Sequence, residues 1–393
     1  MKVTQVYSLV NDITKEVLGI ESVLLEDLSN TVDAGNQIFG AAAVDNYVKS
    51  LVNHIGKVVF VNRPYSGNMP SLLMDSWEFG SVCEKITAEL PEAEENESWN
   101  LTDGSEYNPN IFHQPKVSAK FFNSRITFEI PMSFTEKQVR ESFSSANQLN
   151  AFFSMIEAAI DKSLTIKIDG LCSRTVNNMI GLTLSDCFSS GDTKKTYPTD
   201  LSEKTSIRAV NLLYEYKQAT GDSTLTKDNC LTNLEFLKFA SMKIALVSNR
   251  ITKISTLFNG GGKDRFTSED MQRLYLLNDF VKSSEMYLQA NTFHNSLVEL
   301  SGFSAVPYWQ SSGKSFTFND ISSINVKTTS GDTINQSGII GVLFDRDACA
   351  VANMDRRVTS AYNPKGEFFN NFYKYDAGYF CDNNENFVVF FIA

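Results

Sequence analysis

One long amphipathic stretch, from Ser145 to Gly181, most constrains what this chain can fold into. Its apolar residues recur at the period of an α-helix and not at that of a strand. They are Leu149, Phe152, Phe153, Ile156, Ile160, Leu164, Ile168, Leu171 and Met179. At about 1.5 Å per residue such a helix runs roughly 50 Å, which is longer than most globular helices. The pattern therefore predicts a spine helix with one buried face.

Charged residues within this stretch exclude a membrane span, because they break every long apolar run. They are Asp161, Lys162, Lys167, Asp169 and Arg174. The N-terminal residues include Asp12, Lys15 and Glu16 and contain no apolar run of signal-peptide length. We therefore expect no membrane partner.

The acidic balance limits the partners of the chain. Its 393 residues suffice for two or three domains, and the formal net charge is −11. Gripping nucleic acid needs clustered Lys and Arg, so this charge permits only weak, non-specific contact with DNA. The six cysteines form no CxxC pair, which predicts reduced thiols in a cytosolic product. They are Cys83, Cys172, Cys187, Cys230, Cys349 and Cys381.

The N-terminal region reads as helices followed by a strand. Thr4 to Leu18 places its apolar residues on one helical face, and Gly19 is expected to end that helix. Val32 to Phe39 has the Gly and Asn content of a linker, and Ala41 to Ile55 is predicted helical again. Lys57 to Asn62 is typical of a strand.

The next region predicts an extended loop built on two strands. Ser81 to Glu89 and Val117 to Ile130 read as strands on either side of an acidic section. That section contains Glu92, Glu94, Glu95, Glu97, Asp103 and Glu106. These carboxylates are interpreted as a solvated loop face; a metal site stays open but lacks recognisable spacing. A two-stranded excursion has too little core to be stable alone, so we expect it to lie against a neighbouring copy of the chain.

After the spine helix, further helices are expected. Leu201 to Thr220 is predicted to form a helix that Gly221 ends. Leu234 to Phe258 is strongly apolar with Lys and Arg on one side, and the three glycines Gly260 to Gly262 after it are interpreted as a hinge or domain boundary. The TSED sequence at Thr267 has the spacing of an N-cap with an acidic residue three positions on, which predicts a helix through Phe280.

The C-terminal region reads as strands and turns. Ile339 to Phe344 is predicted to be a central strand, and Asp345 to Ala350 its turn. An aromatic run around Tyr375 and the apolar stretch Phe387 to Ile392 flank a turn at Asp382 to Asn386. These two segments are predicted to form antiparallel strands that close one sheet.

Two motifs that suggest ligand binding fail on inspection. Lys263 follows three glycines, but a phosphate-binding loop needs Gly where Leu257 stands and Ser or Thr where Asp264 stands. Asp382 begins the first half of a calcium loop, yet Phe387 stands where that loop needs Gly. Neither segment is therefore predicted to hold a phosphate or a metal.

The histidines suggest no catalytic group. His54, His113 and His294 lie far apart in sequence and outside any nucleophile motif. A hidden Cys and His pair stays open. The sequence therefore predicts no catalytic, cofactor-binding or metal-binding residue, no cofactor and no enzymatic activity.

The order of elements resembles the major capsid proteins of tailed double-stranded DNA bacteriophages, which share the Johnson fold, also called the Hong Kong ninety-seven capsid fold. The resemblance is greatest to small short-tailed, picovirus-type podophages. It is carried by Val44 to Phe60, which leads into the loop, by Glu78 to Glu89 at its outer strand, and by Leu343 to Phe372, where an Asp-rich turn precedes an aromatic run. Some relatives append an immunoglobulin-like domain after the terminal strands, whereas this sequence stops at Ala393.

The resemblance implies an α+β fold with a spine helix, an extended two-stranded loop, and peripheral and axial domains. The implied division is residues 1–62 for an N-terminal arm and helices, 63–130 for the extended loop, and 131–258 for the peripheral domain with the spine helix. Residues 259–339 would form the axial domain, and 340–393 the C-terminal strands that complete the peripheral domain.

The implied function is that of a shell-forming protomer in an icosahedral virion head, assembled in the host cytoplasm. Its implied partners are further copies in hexamers and pentamers, a scaffolding protein during assembly, a portal protein at one vertex and the packaged double-stranded DNA. The extended loop and the leading N-terminal segment are both expected to gain stabilising contacts from sister copies. Slight bending would let one chain serve both rings, with Gly170, Gly181 and the Gly260 cluster as expected flex points.

Two other functions stay open on sequence alone. One is the shell protein of an encapsulin-type nanocompartment, which has the same fold and encloses a cargo enzyme. The other is a soluble hydrolase with an unrecognised catalytic pair, which predicts a monomer or small oligomer with a concave polar pocket.

Overall fold

The structure is a computed structural model. It describes residues 3–20, 24–39, 47, 50–51, 69–74, 83–89, 91, 93, 99–108, 110, 112–191, 196–290, 303–310, 315–328 and 333–393. The predicted helix at Ala41 to Ile55 and the predicted strand at Lys57 to Asn62 lie largely or wholly outside these residues.

The described residues form a mixture of helices and strands, which confirms the predicted α+β class. The α-helices span Val3–Leu18, Thr31–Phe39, Glu136–Ser142, Ala146–Phe188, Leu212–Thr220, Leu234–Arg250, Asn278–Ala290 and Phe318–Ile321, with 3₁₀ turns at Pro70–Leu72 and Cys230–Thr232.

The strands, numbered in chain order, are β1 (Leu73–Met74), β2 (Cys83–Ala88), β3 (Val117–Phe122), β4 (Arg125–Thr135), β5 (Ala209–Asn211), β6 (Gln272–Leu277), β7 (Phe303–Val306), β8 (Ile324–Lys327), β9 (Thr333–Gln336), β10 (Ile339–Asp345), β11 (Cys349–Asn363), β12 (Phe368–Cys381) and β13 (Phe387–Phe391).

The chain divides into two compact units. The first comprises Met1–Ser76, Arg125–Cys172 and Val351–Gly378, and the second comprises Trp77–Ser124, Ser173–Ala350 and Tyr379–Ala393. Neither unit is continuous in sequence. The five-part division implied by the resemblance stays a prediction.

The predicted spine helix is confirmed, and at Ala146–Phe188 it is longer than expected, with 43 residues. Residues up to Cys172 belong to the first unit and those from Ser173 to the second. Leu149, Phe153, Ile156 and Ile160 are fully buried in the first unit, and a second buried set begins at Leu171. No residue from 161 to 170 is buried, so the middle of the helix is the part with the least packing.

The first unit encloses a core shared by the leading helix, the start of the spine helix and a sheet. That sheet has the order β1-β11-β12-β4, with β12 antiparallel to β4 from Phe368↔Thr135 to Gly378↔Arg125. Val6, Val10 and Ile13 of the helix Val3–Leu18 are completely buried in this core. The expectation that the leading segment needs a sister copy is therefore wrong for this helix, because its apolar face is covered within its own unit.

The leading helix ends where the sequence predicts. Gly19 has a φ of 68°, and its amide donates to the carbonyl of Lys15 at 3.2 Å. A residue without Cβ adopts this left-handed conformation at little cost, which explains the stop. The predicted linker at Val32 to Phe39 is wrong, because Thr31–Phe39 is helical and buries Ala34 and Ile38.

The second unit is built around a five-stranded sheet of order β5-β13-β10-β6-β7. Every residue of β10 and of β13 is buried. The predicted central strand at Ile339 to Phe344 is confirmed, since β10 pairs antiparallel with both β13 and β6. Strands covered on both faces read as continuous apolar runs, as these do.

Three predictions in this unit are wrong. The segment from Thr267 to Phe280 forms β6 first, and a helix begins only at Asn278. The Thr267 hydroxyl donates to the Asp345 carboxylate at 2.7 Å instead of capping a helix. Burial of Leu274 and its neighbours in the sheet overrides the helical periodicity. Leu201 to Thr220 contains β5 and a helix that starts only at Leu212, where Asn211 accepts a hydrogen bond from the Tyr214 amide at 3.2 Å.

The third error concerns the two aromatic terminal strands. They do not pair with each other, because β12 lies beside β4 and β11 in the first sheet whereas β13 lies between β5 and β10 in the second. The turn at residues 382–386, called here the terminal turn, therefore joins two different sheets.

Candidate assembly surface

Strands β2 and β3 form a two-stranded antiparallel ribbon in the second unit, which confirms the predicted two-stranded loop. The predicted second strand, Val117 to Ile130, is divided, because β3 ends at Phe122 and the residues from Arg125 form β4 in another sheet. The register runs from Cys83↔Phe122 to Ala88↔Val117. Because side chains alternate along a strand, the register divides the ribbon into two faces. The inner face carries Cys83, Lys85, Thr87, Ser118, Lys120 and Phe122, and the outer face carries Glu84, Ile86, Ala88, Val117, Ala119 and Phe121.

The outer face of the ribbon is apolar and exposed. Ile86, Val117 and Phe121 have exposed fractions of 65%, 60% and 62%. Beyond the strands, the same excursion exposes Trp99 and Phe112 to 95% and 84%. Apart from Glu84, the outer face is an exposed apolar surface, and such a surface marks an interaction site because water contact with it is unfavourable.

The inner face is held by charge. Lys120 donates to the Asp382 Oδ1 at 2.7 Å, and Lys85 lies 3.2 Å from the Asp382 Oδ2. Lys85 also lies 2.7 Å from the Glu385 Oε1. The Asp382 carboxylate has an exposed fraction of only 2%. Both strands of the ribbon are therefore attached to the terminal turn by ion pairs whose carboxylates are shielded from water.

A further ion pair of opposite polarity lies one residue beyond β2. Glu89 accepts from Lys263 at 2.6 Å. At this point the ribbon supplies the anion, and the rest of the second unit, called here the body, supplies the cation. Arg265 lies 3.1 Å from Glu385 and balances its charge. We call the three body residues that bind the ribbon, Asp382, Glu385 and Lys263, the ribbon seat.

The seat shifts the proton affinities of two carboxyl groups. Burial raises the pKa of Asp382, but hydrogen bonds from Lys120 and from the Asn384 amide and the charge of Lys85 outweigh it, so this pKa lies below its ordinary value. The hydrogen bond and charge of Lys263 lower the pKa of Glu89. Both groups are therefore held in the ionised form that the lysines bind.

The glycines at 260–262 fix the terminal turn. The amides of Gly260 and Gly261 donate to the Asn383 carbonyl at 2.7 and 3.1 Å. A Cβ on Gly261 would collide with the Asn384 side chain. The structure thus gives two of these glycines a packing role in supporting the seat, and their predicted part in bending stays a prediction.

Two residues of the ribbon seat could not be assigned this role from the sequence. Lys263 and Asp382 were considered for phosphate and calcium binding, and the structure places each in an ion pair with the ribbon. Lys120 and Asp382 are 262 residues apart, so no local motif links them. The alternation of Lys85 with Ile86 in the sequence indicates that the strand has one charged and one apolar face, but it does not show which face is covered.

The pKa values of four cysteine thiols differ from that of an activated nucleophile. Burial raises the pKa of Cys83 and Cys187 and raises that of Cys230 and Cys381 to about 12, whereas a nucleophilic thiol needs a lowered pKa. His113 is exposed, and His54 and His294 lie outside the described residues.

A cleft of about 420 Å³ opens beside the ribbon, and hydroxyl and carboxylate groups are among its lining residues. Its hydroxyl groups are Thr87, which is paired with Ser118 at 2.9 Å, and Ser268, which donates to Asp270 at 2.6 Å. No histidine or cysteine is among its lining residues. Within the described ranges, no three His, Cys, Asp or Glu side chains group as metal ligands.

The acidic section and the helices bear on two further expectations. Asp103 and Glu106 are exposed, in line with a solvated loop, while Glu92, Glu94, Glu95 and Glu97 lie outside the described residues. A membrane-spanning helix, sufficiently long and apolar, does not occur in the part of the chain that the structure describes.

A ribbon with a charged inner face and an exposed apolar outer face is typical of a subunit that assembles with other chains. Comparison with protein families defines the class further: the model of the Phi29-like phage major capsid proteins matches residues 10–391. The chain belongs to this family. It is therefore a major capsid protein, a structural subunit of the icosahedral phage head and a component of the virion.

Comparison with solved structures returns phage capsid chains. A chain in the capsid structure of Staphylococcus phage Andhra has 10% identity and a TM-score of 0.48, covering 83% of this chain and 84% of that chain. A chain in the structure of the head fiber and inner core protein gp22 of native bacteriophage P68 has 10% identity and a TM-score of 0.48, covering 85% and 86%. A search of curated proteins finds no match.

The family match decides among the functions that the sequence left open. It selects the phage head over the nanocompartment shell and over the soluble hydrolase. It also confirms the resemblance from which the fold was predicted.

Proposed function

We propose that the chain assembles into hexamers and pentamers through the outer face of its ribbon, which packs against a neighbouring copy in the same ring. The observation that carries the proposal is the exposure of Ile86, Val117 and Phe121 on one face of a strand pair that has no second layer of its own. Covering these side chains would stabilise each contact by about 25 cal/mol per Å² of apolar surface.

The remaining partners follow from the role of a head subunit. A scaffolding protein acts during assembly in the host cytoplasm, a portal protein occupies one vertex, and the chain itself carries out no catalysis. The net charge of −11 supports weak, non-specific contact with the packaged double-stranded DNA, because binding strength grows with each phosphate that is neutralised.

Electron microscopy and sedimentation of the purified chain test the ring proposal. We expect rings or closed particles whose amount rises with protein concentration. The double variant Ile86→Ser with Phe121→Ser should abolish them, while Phe316→Ser, at an equally apolar and exposed position elsewhere, is the matched control. Normal particles from the double variant would contradict the proposal.

DNA binding tests the charge argument separately. Isolated rings should bind double-stranded DNA weakly at low salt, with binding lost as salt is raised. Tight binding that persists at physiological ionic strength would contradict it.

A further inference from the structure

The ribbon covers its charged face and exposes its apolar face, which is the reverse of an ordinary surface hairpin. A hairpin on a globular protein usually buries its apolar face and exposes its polar face. Here the covered face carries Lys85 and Lys120, and the exposed face carries Ile86 and Phe121. Apolar packing therefore contributes little to the direction in which the ribbon points.

An aromatic contact on the inner face lies at the end of the ribbon that joins β4. There Phe122 contacts Phe380 with ring centroids 4.9 Å apart. Further along, the contacts to the seat are ionic: Lys120 and Lys85 meet Asp382, Lys85 meets Glu385, and then Glu89 meets Lys263.

The signs of these charges specify one register. The ribbon presents cations at Lys85 and Lys120 and an anion at Glu89, and the seat presents two anions followed by one cation. A shift of the ribbon along the body would place like charges together, and like-charge contacts are strongly disfavoured. The seat is also rigid, because Asp382 donates its amide to the Ala348 carbonyl at 2.7 Å and Gly260 and Gly261 bind Asn383.

We propose that the ribbon seat fixes the direction of the ribbon in the free subunit, before any neighbour is bound, so that the apolar outer face is presented ready for contact. The inference rests on the proposed role of that outer face, and it adds the device that positions it. Asp382, Glu385, Lys85 and Lys120 are positioning residues, since they act on a neighbour only through the ribbon.

Carbodiimide cross-linking tests the seat directly, because the reagent converts a carboxylate and an amine in contact into an amide. On the full chain kept below the concentration at which it assembles, mass spectrometry should find Lys120 joined to Asp382 and Lys263 joined to Glu89. Absence of both products in a folded free chain overturns the proposal without any variant.

A variant without the two inner-face lysines tests whether they fix the direction of the ribbon. In Lys85→Met with Lys120→Met, we expect the yield of the distant Lys263 to Glu89 product to fall roughly tenfold or more, a coupling within the range for groups in one network. Lys253→Met is the matched control, because Lys253 is an exposed lysine outside the ribbon and the seat, and it should leave this yield unchanged. An unchanged Lys263 to Glu89 yield in the folded double variant overturns the proposal.

A compensated variant guards against a loss of folding. Lys120→Met with Asp382→Asn removes both charges of one pair, so that it leaves no buried carboxylate facing an apolar side chain. It should fold and still show a reduced Lys263 to Glu89 yield; a wild-type yield counts against the seat. Failure of the ring proposal is recognised separately: Ile86→Ser with Phe121→Ser would then assemble normally while the cross-links of the seat persist.

Discussion

The central sheet and the ribbon belong to the same unit, yet different forces hold them. Strands β10 and β13 are buried along their whole length, and Phe344 stacks on Phe387 with ring centroids 5.4 Å apart. The ribbon is held mainly by ion pairs and leaves the apolar residues of its outer face in water. The sheet therefore has its apolar side chains covered within the unit, whereas the ribbon leaves an apolar face open that the proposed contact with a neighbouring copy would cover.

The largest effect is expected in the sheet. Phe344→Ala removes a ring that is completely buried between Tyr275 and Phe387. The lost apolar burial and the cavity left behind should lower the free energy of unfolding by about 3–5 kcal/mol. Denaturant unfolding of the free subunit measures it, with the exposed Phe316→Ala as control. A loss below 1 kcal/mol would mean that the sheet is not the stable part.

The second effect concerns the seat. Asp382→Asn removes the carboxylate that binds Lys85 and Lys120 and should lower the free energy of unfolding by about 1–3 kcal/mol at neutral pH, the range for hydrogen bonds to charged groups. The same denaturant titration measures it. A loss as large as that of Phe344→Ala would remove the distinction between sheet and ribbon.

The pH dependence of this effect has a definite sign. Because the pKa of Asp382 is lower in the folded chain than its ordinary value of 3.8, its contribution is complete above that value and is lost as the pH falls from there through the folded pKa. Wild type should therefore lose more stability than Asp382→Asn on acidification from pH 5 to pH 3. Parallel curves for the two proteins would show that the Asp382 pair contributes nothing.

The same comparison explains which parts of the fold could be predicted from sequence. The spine helix and its leading neighbour follow from local periodicity and from Gly19, and the apolar run of β10 marks a buried strand without reference to its partners. The pairing of β13 with β5 and β10, and the ion pair of Lys120 with Asp382, join residues distant in sequence. At Thr267 a local capping pattern lost to a distant carboxylate, Asp345.

Two glycines of the spine helix differ in how closely other residues pack around them. A Cβ at Gly170 meets no atom within 4 Å, whereas a Cβ at Gly181 lies 3.1 Å from the Cβ and Cγ1 of Val326. Gly170→Ala should raise the free energy of unfolding by about 1 kcal/mol through helix propensity. Gly181→Ala should lower it by about 1 kcal/mol, because overpacking against a stiff β-branched side chain outweighs that gain.

Thermal unfolding of the two alanine variants, measured side by side, tests this pair. Equal shifts of the unfolding midpoint would mean that Val326 yields and that packing does not distinguish the two positions. Reduced assembly of Gly170→Ala despite its higher stability would support the expected role of Gly170 in bending.

The smallest effect on the free subunit is expected on the outer face of the ribbon. Ile86 and Phe121 occupy diagonal positions of neighbouring strands, since Ile86 pairs with Ala119 and Phe121 with Glu84, and both are mostly exposed. Replacing both with Ser should change the free energy of unfolding of the free subunit by no more than about 0.5 kcal/mol, as for other surface substitutions. The same double variant should lose assembly although its free energy of unfolding hardly changes. Phe344→Ala, by contrast, should show the largest loss in free energy of unfolding. If the double variant instead unfolds as readily as Phe344→Ala, these side chains already stabilise the isolated chain, and the ribbon is not the part that depends on a neighbour.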